Sequence, residues 1–330
     1  MLYSRSRARV DGGGKGCTAV SLRAPPPLWH ALVARDASRR CDVFLSTNSY
    51  ITPLFLRIPS AIVVYDLVAF AAFDVAHRRA RLNERITLGA ALGRAARAIC
   101  ISEATRAELV ARFPAAAPKA AVVPLAAGRP FGCELSPPAL AAVRARYGVE
   151  GPFVLALGTL EPRKNLPRLI EAFAALPPGL RDTHRLVLAG AEGWGMRGTR
   201  RAIERHDSMV RALGWVPDED LAALYQACAA FCYPSLHEGF GLPVLEAMQS
   251  GAVVVAARVP SLCEVGGDAA IYVDPRDTAD IRAGLQAALD PERRPSEIGR
   301  RARERAAEFS WEDTARAVLG ELARCSGRAE

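Results

Sequence analysis

From about residue 152 onward, short apolar runs rich in β-branched residues alternate with longer amphipathic segments. This alternation is typical of repeated βα units, in which parallel strands form a sheet that helices cover on both faces. It therefore predicts an α/β domain with a parallel sheet. The predicted strands are "PFVLALGT", "HRLVLAG", "AAFCYPS", "AVVVAA" and "AIYVD", and the predicted helices are "LPRLIEAFAAL", "RAIERHDSMVRAL", "DEDLAALYQAC" and "LPVLEAMQS".

The first half of the chain repeats the pattern less regularly. A seam near 140–151 separates it from the second half, so the sequence predicts two α/β domains. Residues 1–30 look irregular, and we interpret the glycine cluster "DGGGKG" among them as a flexible segment. The first-domain strands are predicted at "DVFLS", "AIVVYDL", "AICIS" and "AAVVP", and its helices at "RLNERITLGAALGRA" and "EATRAELVARF".

Length and composition exclude several classes of protein. With 330 residues, 50% of them hydrophobic, the chain can fill two cores. The most apolar stretch, residues 61–75, is interrupted by Asp66 and Asp74, so no membrane span is predicted, and no secretory signal is visible at the N-terminus. The eight cysteines contain no C-x-x-C pair, which favours a reduced cytoplasmic compartment over a zinc or disulfide framework.

The positive charge is concentrated in the first half. Residues 1–150 hold 21 Lys+Arg against 10 Asp+Glu, or +11, whereas the whole chain carries +8. Such a half can contact an anionic membrane peripherally or hold an anionic partner, and an arginine-rich solvated surface is the equally open alternative. No basic helix with interleaved aromatic residues is visible, so nucleic acid is not a predicted partner.

The stretch "HEGFGLPVLEAM", residues 237–248, combines a strand end, a double-glycine turn and a helix start. A helix N-terminus suits a phosphate, and glycines let the backbone approach a ligand closely. Glu246, one turn into the helix, can accept hydrogen bonds from a diol such as a ribose, and Glu238 lies where the group beyond the phosphates would be. Taken singly, the two acids also fit a helix first turn and a solvated loop.

A second constellation, "GTLEPRKN", follows a predicted strand that ends at Gly158. Arg163 and Lys164 stand at its loop tip, at the sheet edge where open α/β folds bind ligands. Adjacent cations there can neutralise a diphosphate, the arginine by a fork and the lysine as a point charge. A solvated loop is the alternative for these two residues.

Two further features are assigned structural roles. The acids of "DED", 218–220, resemble a metal-binding D-x-D but follow Pro217 at a helix start, where acids cap the helix and complement its dipole. No metal is therefore predicted. His237, beside Glu238, is interpreted as a loop residue that shapes a sugar pocket, with proton transfer as the alternative.

Read in order, "GTLEPRKN", "LVLAGAEGWG", "LGWVPDEDLAALY" and "YPSLHEGFGLPVLEAMQSG" resemble the C-terminal domain of retaining glycosyltransferases of family 4, also called group 1. The likeness covers nearly all of 150–330 and implies the GT-B architecture of two Rossmann-like domains facing a cleft. It implies a first domain over 31–148 on the acceptor side, a donor domain over 149–310, and a helix over 311–330, led by "FSWEDTARAVL", that returns to the first domain.

The resemblance also assigns roles to residues. It implies that Glu238 contacts the donor sugar, that Glu246 binds the ribose, and that Arg163 and Lys164 hold the diphosphate. The resemblance places Trp215 and Val216 beside the base of the donor. The remaining positions that it places at the donor are Gly158, His237 and the amides around Phe240, Gly241 and Leu242.

The first half resembles the family more loosely. "VVYDLVAF" resembles the family's "HDL" segment with Tyr65 in place of histidine, as in members that resemble mannosyltransferases. Asp66 in the same segment is a candidate for binding sugar or acceptor, with capping of a strand end as the alternative. The family's first strand and glycine-rich loop have no match, so we expect an N-terminally shortened member with an incomplete first domain.

The function implied by the resemblance is transfer of a hexose, mannose among the candidates, from a GDP- or UDP-sugar to a saccharide or lipid-linked oligosaccharide. The anomeric configuration would be retained, and neither metal nor cofactor would be required. Two alternatives remain open. One is a nucleotide-sugar-binding protein that has lost transfer. The other is a sugar-nucleotide epimerase or hydrolase with a related double-Rossmann fold. The lack of an evident acid/base pair across the sugar ring argues against this alternative.

Overall fold

A computed structural model of the chain describes residues 1–4, 18–70, 78–293 and 295–327. Near the N-terminus, strand β1 (Leu2–Ser4) pairs in parallel with β2 (Ala19–Ser21), and helix α1 (Pro26–Arg40) follows. The prediction of irregular structure throughout 1–30 is therefore wrong. β1 was missed because a three-residue strand is too short to show a period of its own. The "DGGGKG" segment lies outside the described residues.

Tyr3 in β1 packs beside the first main sheet. Its hydroxyl donates to Asp36 Oδ2 at 3.0 Å, and its ring lies 6.2 Å from that of Phe44. A strand thus precedes the glycine segment, contrary to the expectation that the first strand is missing, although it pairs with β2 and not with the four-stranded sheet.

The first main sheet has four parallel strands, each in register with the next. Two of the helices that pack beside it follow its second and third strands in the chain, and Ser102 caps the second of these two helices by accepting the Thr105 amide at 2.9 Å. Apolar side chains such as Ile62, Leu88 and Leu109 fill the space between sheet and helices. The elements are β3 (Phe44–Ser46), β4 (Ser60–Val64), α2 (Arg78–Arg94), β5 (Arg97–Cys100), α3 (Glu103–Arg112) and β6 (Ala120–Val122).

The second sheet contains six parallel strands, with helices packed against its two faces, as the alternating pattern predicts. The elements that form it and pack on it are α4 (Pro137–Arg146), β7 (Phe153–Leu157), α5 (Leu166–Ala174), α6 (Pro178–Arg181), β8 (Arg185–Ala189), α7 (Arg197–Arg205), β9 (Val210–Gly214), α8 (Asp218–Ala227), β10 (Ala230–Tyr233), α9 (Leu242–Gln249), β11 (Val254–Ala257), α10 (Pro260–Gly266), β12 (Ile271–Val273), α11 (Thr278–Ala288) and α12 (Pro295–Ala306). The order across the sheet is β12-β11-β10-β7-β8-β9.

One predicted helix of this domain is wrong in its second half. The segment 201–213 was predicted to be a single helix, but α7 ends at Arg205 and β9 begins at Val210. The chain turns at His206, whose carbonyl accepts the amides of Met209 and Val210. β9 then pairs with β8 at the edge of the sheet, which satisfies backbone groups that a longer helix would have used internally.

The packing boundary between the domains lies before the predicted seam. Helix α4, predicted as part of the first domain, packs against α8 of the second. Arg146 Nη1 lies 2.6 Å from Asp220 Oδ1, and the Tyr147 hydroxyl donates to Asp220 Oδ2 at 2.8 Å. These contacts also correct the role of Asp220: it pairs with α4, while Pro217 occupies the N-cap without a side-chain hydrogen bond.

Helix α13 (Trp311–Cys325) leaves the second domain and packs against β4 and β5 of the first. Glu321 is buried and pairs with Arg97, whose Nε lies 2.5 Å from Glu321 Oε2. At its other end, Trp311 Nε1 donates to the Ala127 carbonyl at 3.1 Å. The return of the C-terminal helix, implied by the resemblance, is therefore present.

The helices that the structure describes include none that is long and apolar enough to cross a membrane.

Candidate functional site

Two loops meet at the carboxyl edge of the second sheet because their strands, β7 and β10, are neighbours. After β7, Gly158 turns the chain at a φ of 131° and a short 3-10 turn presents Arg163 and Lys164. After β10, the loop through Ser235 leads into α9. The Leu236 amide and the Ser235 hydroxyl both donate to the Arg163 carbonyl, at 2.9 and 3.2 Å, so the two loops form one unit.

Glu238 lies at the centre of this unit. Its Oε1 is 2.7 Å from Lys164 Nζ, and its Oε2 is 2.7 Å from Arg163 Nη1. Oε1 also accepts the hydroxyls of Tyr233 at 2.8 Å and Ser235 at 2.7 Å. The sequence assigned the cations to a diphosphate and the acid to a sugar, and the structure brings all three together in one network.

Charge pairing sets the ionisation of this network. Burial alone would raise the pKa of Glu238, but the charges of Lys164 and Arg163 outweigh it and hold the pKa at about 2. Burial lowers the pKa of Lys164 despite the same ion pair. For Arg163, the attraction of Glu238 and Glu161 exceeds the cost of burial and raises its pKa.

The guanidinium group of Arg163 also pairs with Glu161, a residue that our sequence interpretation missed. Its Oε1 accepts from Arg163 Nε and Nη2 at 3.0 and 2.7 Å, while Trp194 Nε1 donates to its Oε2 at 3.0 Å. With the contacts to Glu238 and the His237 carbonyl, four of the five guanidinium N–H groups have partners among the described residues. Within the described part of the chain, one N–H of Arg163 therefore has no partner, and Lys164 Nζ contacts two oxygens, those of the Tyr233 hydroxyl and Glu238 Oε1.

Helix α9 starts beside this network. Gly241 precedes it with a φ of 107°, a conformation that residues with a Cβ rarely adopt, and a Cβ there would lie 2.3 Å from Leu262 Cδ2. Leu242 is the first helical residue, and Phe240 is buried and packs edge-on against Phe309 at 5.9 Å. The side chain of Phe240 therefore anchors the loop.

Glu246 lies in the second turn of α9 and is half-buried. The Tyr225 hydroxyl donates to its Oε2 at 3.2 Å. Burial raises the pKa of Glu246 to about 7, in contrast to that of Glu238. The two acids of the motif therefore differ in charge state near neutral pH, although their residue types are the same.

Gly239 joins this loop to the first domain. Its carbonyl accepts the hydroxyls of Ser102 at 2.5 Å and Thr105 at 2.9 Å. A Cβ on Gly239 would lie 1.9 Å from the Tyr65 carbonyl oxygen. We predicted that the lack of a side chain at Gly239 lets the loop backbone approach a ligand closely. In the structure it lets the loop backbone approach the backbone of the first domain at Tyr65.

His237 also bridges the domains. Its Nε2 lies 3.1 Å from Glu108 Oε2 on α3 of the first domain. The histidine predicted to shape a sugar pocket thus makes a contact that holds the loop against the first domain.

The remaining predicted residues are dispersed. Trp215 is 72% exposed beyond β9, whereas its neighbour Val216 is buried. Asp66 Oδ1 accepts the Val68 amide at 3.0 Å, the local capping role that the sequence left open, and its side chain also lines a cavity of the first domain. Within the part of the chain that the structure describes, no three His, Cys, Asp or Glu side chains are grouped as metal ligands would be.

Sequence reasoning missed several residues that position this site. Tyr233 and Ser235, which donate to Glu238, end the strand "AFCYPS", and polar residues at a strand's carboxyl end were a signal for them. Glu161 lies two residues before Arg163. Glu108, Ser102 and Thr105 reach the site from the first domain, and no spacing in the sequence indicates that.

The chain has two α/β domains with parallel sheets and a C-terminal helix that returns to the first domain. Cations and a helix start lie at the carboxyl edge of the second sheet. These features define the GT-B class. Solved structures share this fold. The "Crystal structure of Anabaena Alr3699/HepE in complex with UDP-glucose" superposes with a TM-score of 0.76 at 20% identity and covers 93% of this chain and 86% of that one.

Residues 144–305, which span most of the second domain, match the family described as "Glycosyl transferases group 1". "O-antigen chain mannosyltransferase B" of Escherichia coli is 37% identical over 219 residues, 65% of this chain and 57% of that protein. "D-inositol 3-phosphate glycosyltransferase" of Acidothermus cellulolyticus is 34% identical over 195 residues, 54% of this chain and 43% of that protein. The chain thus spans about half the length of these relatives.

Proposed function

We propose that this protein transfers a hexose from a nucleotide diphosphate sugar to a hydroxyl of a saccharide acceptor, with retention at the anomeric carbon and without a metal. The observation that carries the proposal is the network of Arg163, Lys164 and Glu238 beside the start of α9. A departing diphosphate gains negative charge, and two fixed cations with a helix N-terminus can stabilise that charge in place of a divalent ion.

The donor would lie along the carboxyl edge of the second sheet. The N–H groups left on Arg163 and Lys164 are available to phosphate oxygens, Glu246 to the ribose hydroxyls, and the surface beside Trp215 and Val216 to the base. Glu238 fixes the directions of both cations, so we assign it a positioning role in addition to the predicted sugar contact. GDP- or UDP-mannose is the first donor to test, because the relatives named above include a mannosyltransferase and a neighbour bound to UDP-glucose.

The chemistry breaks the bond between the anomeric carbon and the diphosphate oxygen, and the electron pair leaves with that oxygen. The acceptor hydroxyl bonds to the anomeric carbon from the same face, through an oxocarbenium-like state. Its proton passes to a phosphate oxygen of the leaving group, so no dedicated protein base is assigned. This route is the one that the family resemblance implies for retaining transfer.

The test is release of nucleoside diphosphate over a panel of GDP- and UDP-sugars, with and without saccharide and lipid-linked acceptors, in the presence of EDTA. We expect release that requires an acceptor and continues in EDTA, with an α-linked product by NMR from an α-linked donor. Release abolished by EDTA and restored by Mg²⁺ or Mn²⁺ would refute metal independence.

The same assay separates the alternatives. Release without any acceptor would indicate a hydrolase, and interconversion of the sugar without release would indicate an epimerase. Binding without turnover would indicate a nucleotide-sugar-binding protein. Contact of the basic first half with an anionic membrane is a separate prediction, which sedimentation with anionic and neutral vesicles tests.

A further inference from the structure

The loop that follows β8 carries the stretch "GAEGWG", residues 190–195, in which the sequence predicted no site residue. We call it the β8 loop. Because β8 and β10 are the two neighbours of β7, the β7 loop (residues 158–165), which carries Arg163, lies between the β8 loop and the donor loop (residues 234–241), which carries Glu238. The β7 loop is therefore supported from two sides.

Glycines bring the backbone of the β8 loop against that of the β7 loop. A Cβ on Gly190 would lie 2.2 Å from the Gly158 carbonyl oxygen, and a Cβ on Gly193 would lie 2.8 Å from the Leu160 carbonyl oxygen. Neither gap has room for a side chain. The Leu160 amide also donates to the Ala191 carbonyl at 2.9 Å. The two loops thus form a close backbone contact, which places the side chain between the glycines of "GWG" beside the β7 loop.

That side chain is Trp194, and it reaches Arg163 through one carboxylate. The indole Nε1 donates to Glu161 Oε2 at 3.0 Å. The other oxygen, Oε1, accepts from Nε and Nη2 of Arg163 at 3.0 and 2.7 Å. The side chains of Arg163 and Glu161 are only 17% and 15% exposed, so little water competes for these contacts. The carboxylate therefore transmits the position of the β8 loop to the guanidinium.

The guanidinium of Arg163 is held at both of its ends. On the side of the donor loop, its Nη1 contacts Glu238 and the His237 carbonyl. On the side of the β8 loop, Glu161 accepts from Nε and from Nη2. Because the five N–H groups lie in one plane, these contacts fix that plane and the direction of the second Nη2 N–H, which has no partner among the described residues.

The charges of the network show that Glu161 does not add to the attraction for a diphosphate. Two cations, Arg163 and Lys164, contact two carboxylates, Glu161 and Glu238, so the four side chains together carry no excess positive charge. A negative charge beside the diphosphate opposes its binding. Any contribution of Glu161 to transfer is therefore one of orientation.

We propose that Glu161 and Trp194 are positioning residues for sugar transfer: the β8 loop holds Glu161 through the indole N–H, and Glu161 aims the Arg163 guanidinium at the departing diphosphate. The proposal rests on the proposed transferase function and adds two residues that act through Arg163. It has a directional consequence. Removing the Glu161 charge should slow the chemical step without weakening the binding of the nucleoside diphosphate, because orientation is lost while repulsion is relieved.

The first experiment compares Glu161→Gln with Glu192→Gln. A glutamine at 161 can keep its oxygen on Arg163 only by turning its NH2 group toward the Trp194 N–H, where donor faces donor. We expect kcat to fall about tenfold, and the affinities for UDP and GDP by isothermal titration to stay equal or increase. Glu192, an exposed acid of the same loop paired with Arg200, is the control and should leave both values unchanged. Unchanged kcat in Glu161→Gln, or affinities that weaken, would refute the positioning role.

The second experiment uses double variants to show that the effects pass through Arg163. In the Arg163→Ala background, Glu161→Gln should cause no further loss of kcat. Trp194→Phe, which keeps a ring but removes the N–H, should lower kcat several-fold by itself and have no further effect together with Glu161→Gln. Trp29→Phe, on α1 of the first domain, is the control for loss of an indole. Additive losses in either pair would overturn the proposal, because they would show a role independent of Arg163.

The indole N–H also gives a signal that does not depend on turnover. In ¹H–¹⁵N NMR spectra, the Trp194 Nε1 resonance is assigned by its loss in Trp194→Phe. Glu161→Gln should shift this resonance and accelerate its exchange with solvent, and Glu192→Gln should not. An unshifted resonance in Glu161→Gln would refute the contact on which the proposal depends.

Failure of this proposal is distinguishable from failure of the proposed function. If Arg163→Ala lowers kcat and Glu161→Gln does not, the transferase function stands and the positioning role falls. If no acceptor supports release, the proposed function falls, and the indole resonance with the UDP and GDP affinities still decides whether Trp194 and Glu161 hold Arg163.

Discussion

The α-carbon of Gly239 in the donor loop lies against the carbonyl oxygen of Tyr65 in the first domain, so closely that a Cβ would stand 1.9 Å from that oxygen. No side chain fits this gap without separating the two backbones. The contact is reinforced by the Ser102 and Thr105 hydroxyls, which donate to the Gly239 carbonyl. The relative position of the two domains at the site therefore depends on a glycine at this point.

Gly239→Ala tests this dependence. We expect the free energy of unfolding to fall by about 1–3 kcal/mol, because the added methyl group overfills a tight contact, and we expect sugar transfer to fall at least about tenfold, because a 1 Å displacement already has large effects on a reacting geometry. Urea unfolding and transfer assays measure the two effects. Gly320→Ala, on α13 with no atom within 4 Å of its added Cβ, is the control and should be neutral or slightly stabilising. Equal behaviour of the two variants would contradict the tight contact.

Glu238→Gln should destabilise the protein by about 3–5 kcal/mol, because it leaves the buried Lys164 without its carboxylate and removes one of the two carboxylates that pair with Arg163. Urea unfolding at pH 7 measures the loss, and Glu304→Gln, from an exposed pair with Arg300, should cost about 0.5 kcal/mol or less. Because the folded-state pKa of Glu238 is about 2, below the ordinary value of 4.5 for a glutamate, its stabilisation is present above pH 4.5 and is lost as the pH falls toward 2. A Glu238→Gln variant as stable as the parent at pH 7 would refute the ion-pair network.

Glu246→Gln should separate stability from function. The folded-state pKa of about 7 lies above the ordinary value of 4.5 for a glutamate, so the folded carboxyl group binds its proton more tightly and stability falls as the pH rises from 4.5 to 7. The glutamine variant lacks this titration and should therefore be more stable than the parent at pH 8, by up to about 3 kcal/mol. Thermal unfolding at pH 5 and pH 8 provides the measurement, and an equal difference at both values would argue against the raised pKa.

The same substitution should weaken donor binding. If the ionised Glu246 accepts the ribose hydroxyls, donor affinity should increase as the pH rises through 7, and this increase should disappear in Glu246→Gln. Isothermal titration with UDP and GDP across pH 6–8 tests the point. A pH-independent affinity in the parent protein would remove Glu246 from the ribose site.

Arg163→Ala should lower kcat by a factor that corresponds to about 2–4 kcal/mol of transition-state stabilisation, because the guanidinium would no longer hold the departing diphosphate. Arg163→Lys should restore only part of the lost kcat, because an ammonium group lacks the forked N–H groups of the guanidinium that Glu161 and Glu238 orient. Arg300→Ala, in an exposed ion pair of the same domain, is the control for a lost surface charge. Unchanged turnover in Arg163→Ala would exclude this residue from the leaving-group site.

The sequence predicted the second domain well because its strands and helices each carry a strong local period. All five strands predicted there are present, and α5, α8 and α9 are present almost to the residue. β9 was missed because Val210–Gly214 is an edge strand with three exposed residues, whose pattern resembles the end of an amphipathic helix. The position of α4 could not be predicted, because it is set by Asp220, which lies 74 residues beyond Arg146.

For the site, local motifs identified Arg163, Lys164, Glu238 and Glu246 as charged groups at a ligand-binding edge. They did not show that Glu238 pairs with both cations, nor that the pKa values of the two acids diverge. Those properties depend on burial and on partners that approach from other loops, such as Tyr225 beside Glu246. Residue type alone carries neither piece of information.

By itself the sequence determined the α/β class, the division into two domains and the loop that carries the charged residues, because periodicity, turn glycines and charge spacing are local properties of the chain. Only the tertiary structure decided which groups are ionised, which glycine lets the two domains make contact, and that Asp66 and Glu84 share a cavity beside the donor loop. These depend on distances between residues far apart in sequence, and therefore on how loops and helices of the two domains meet.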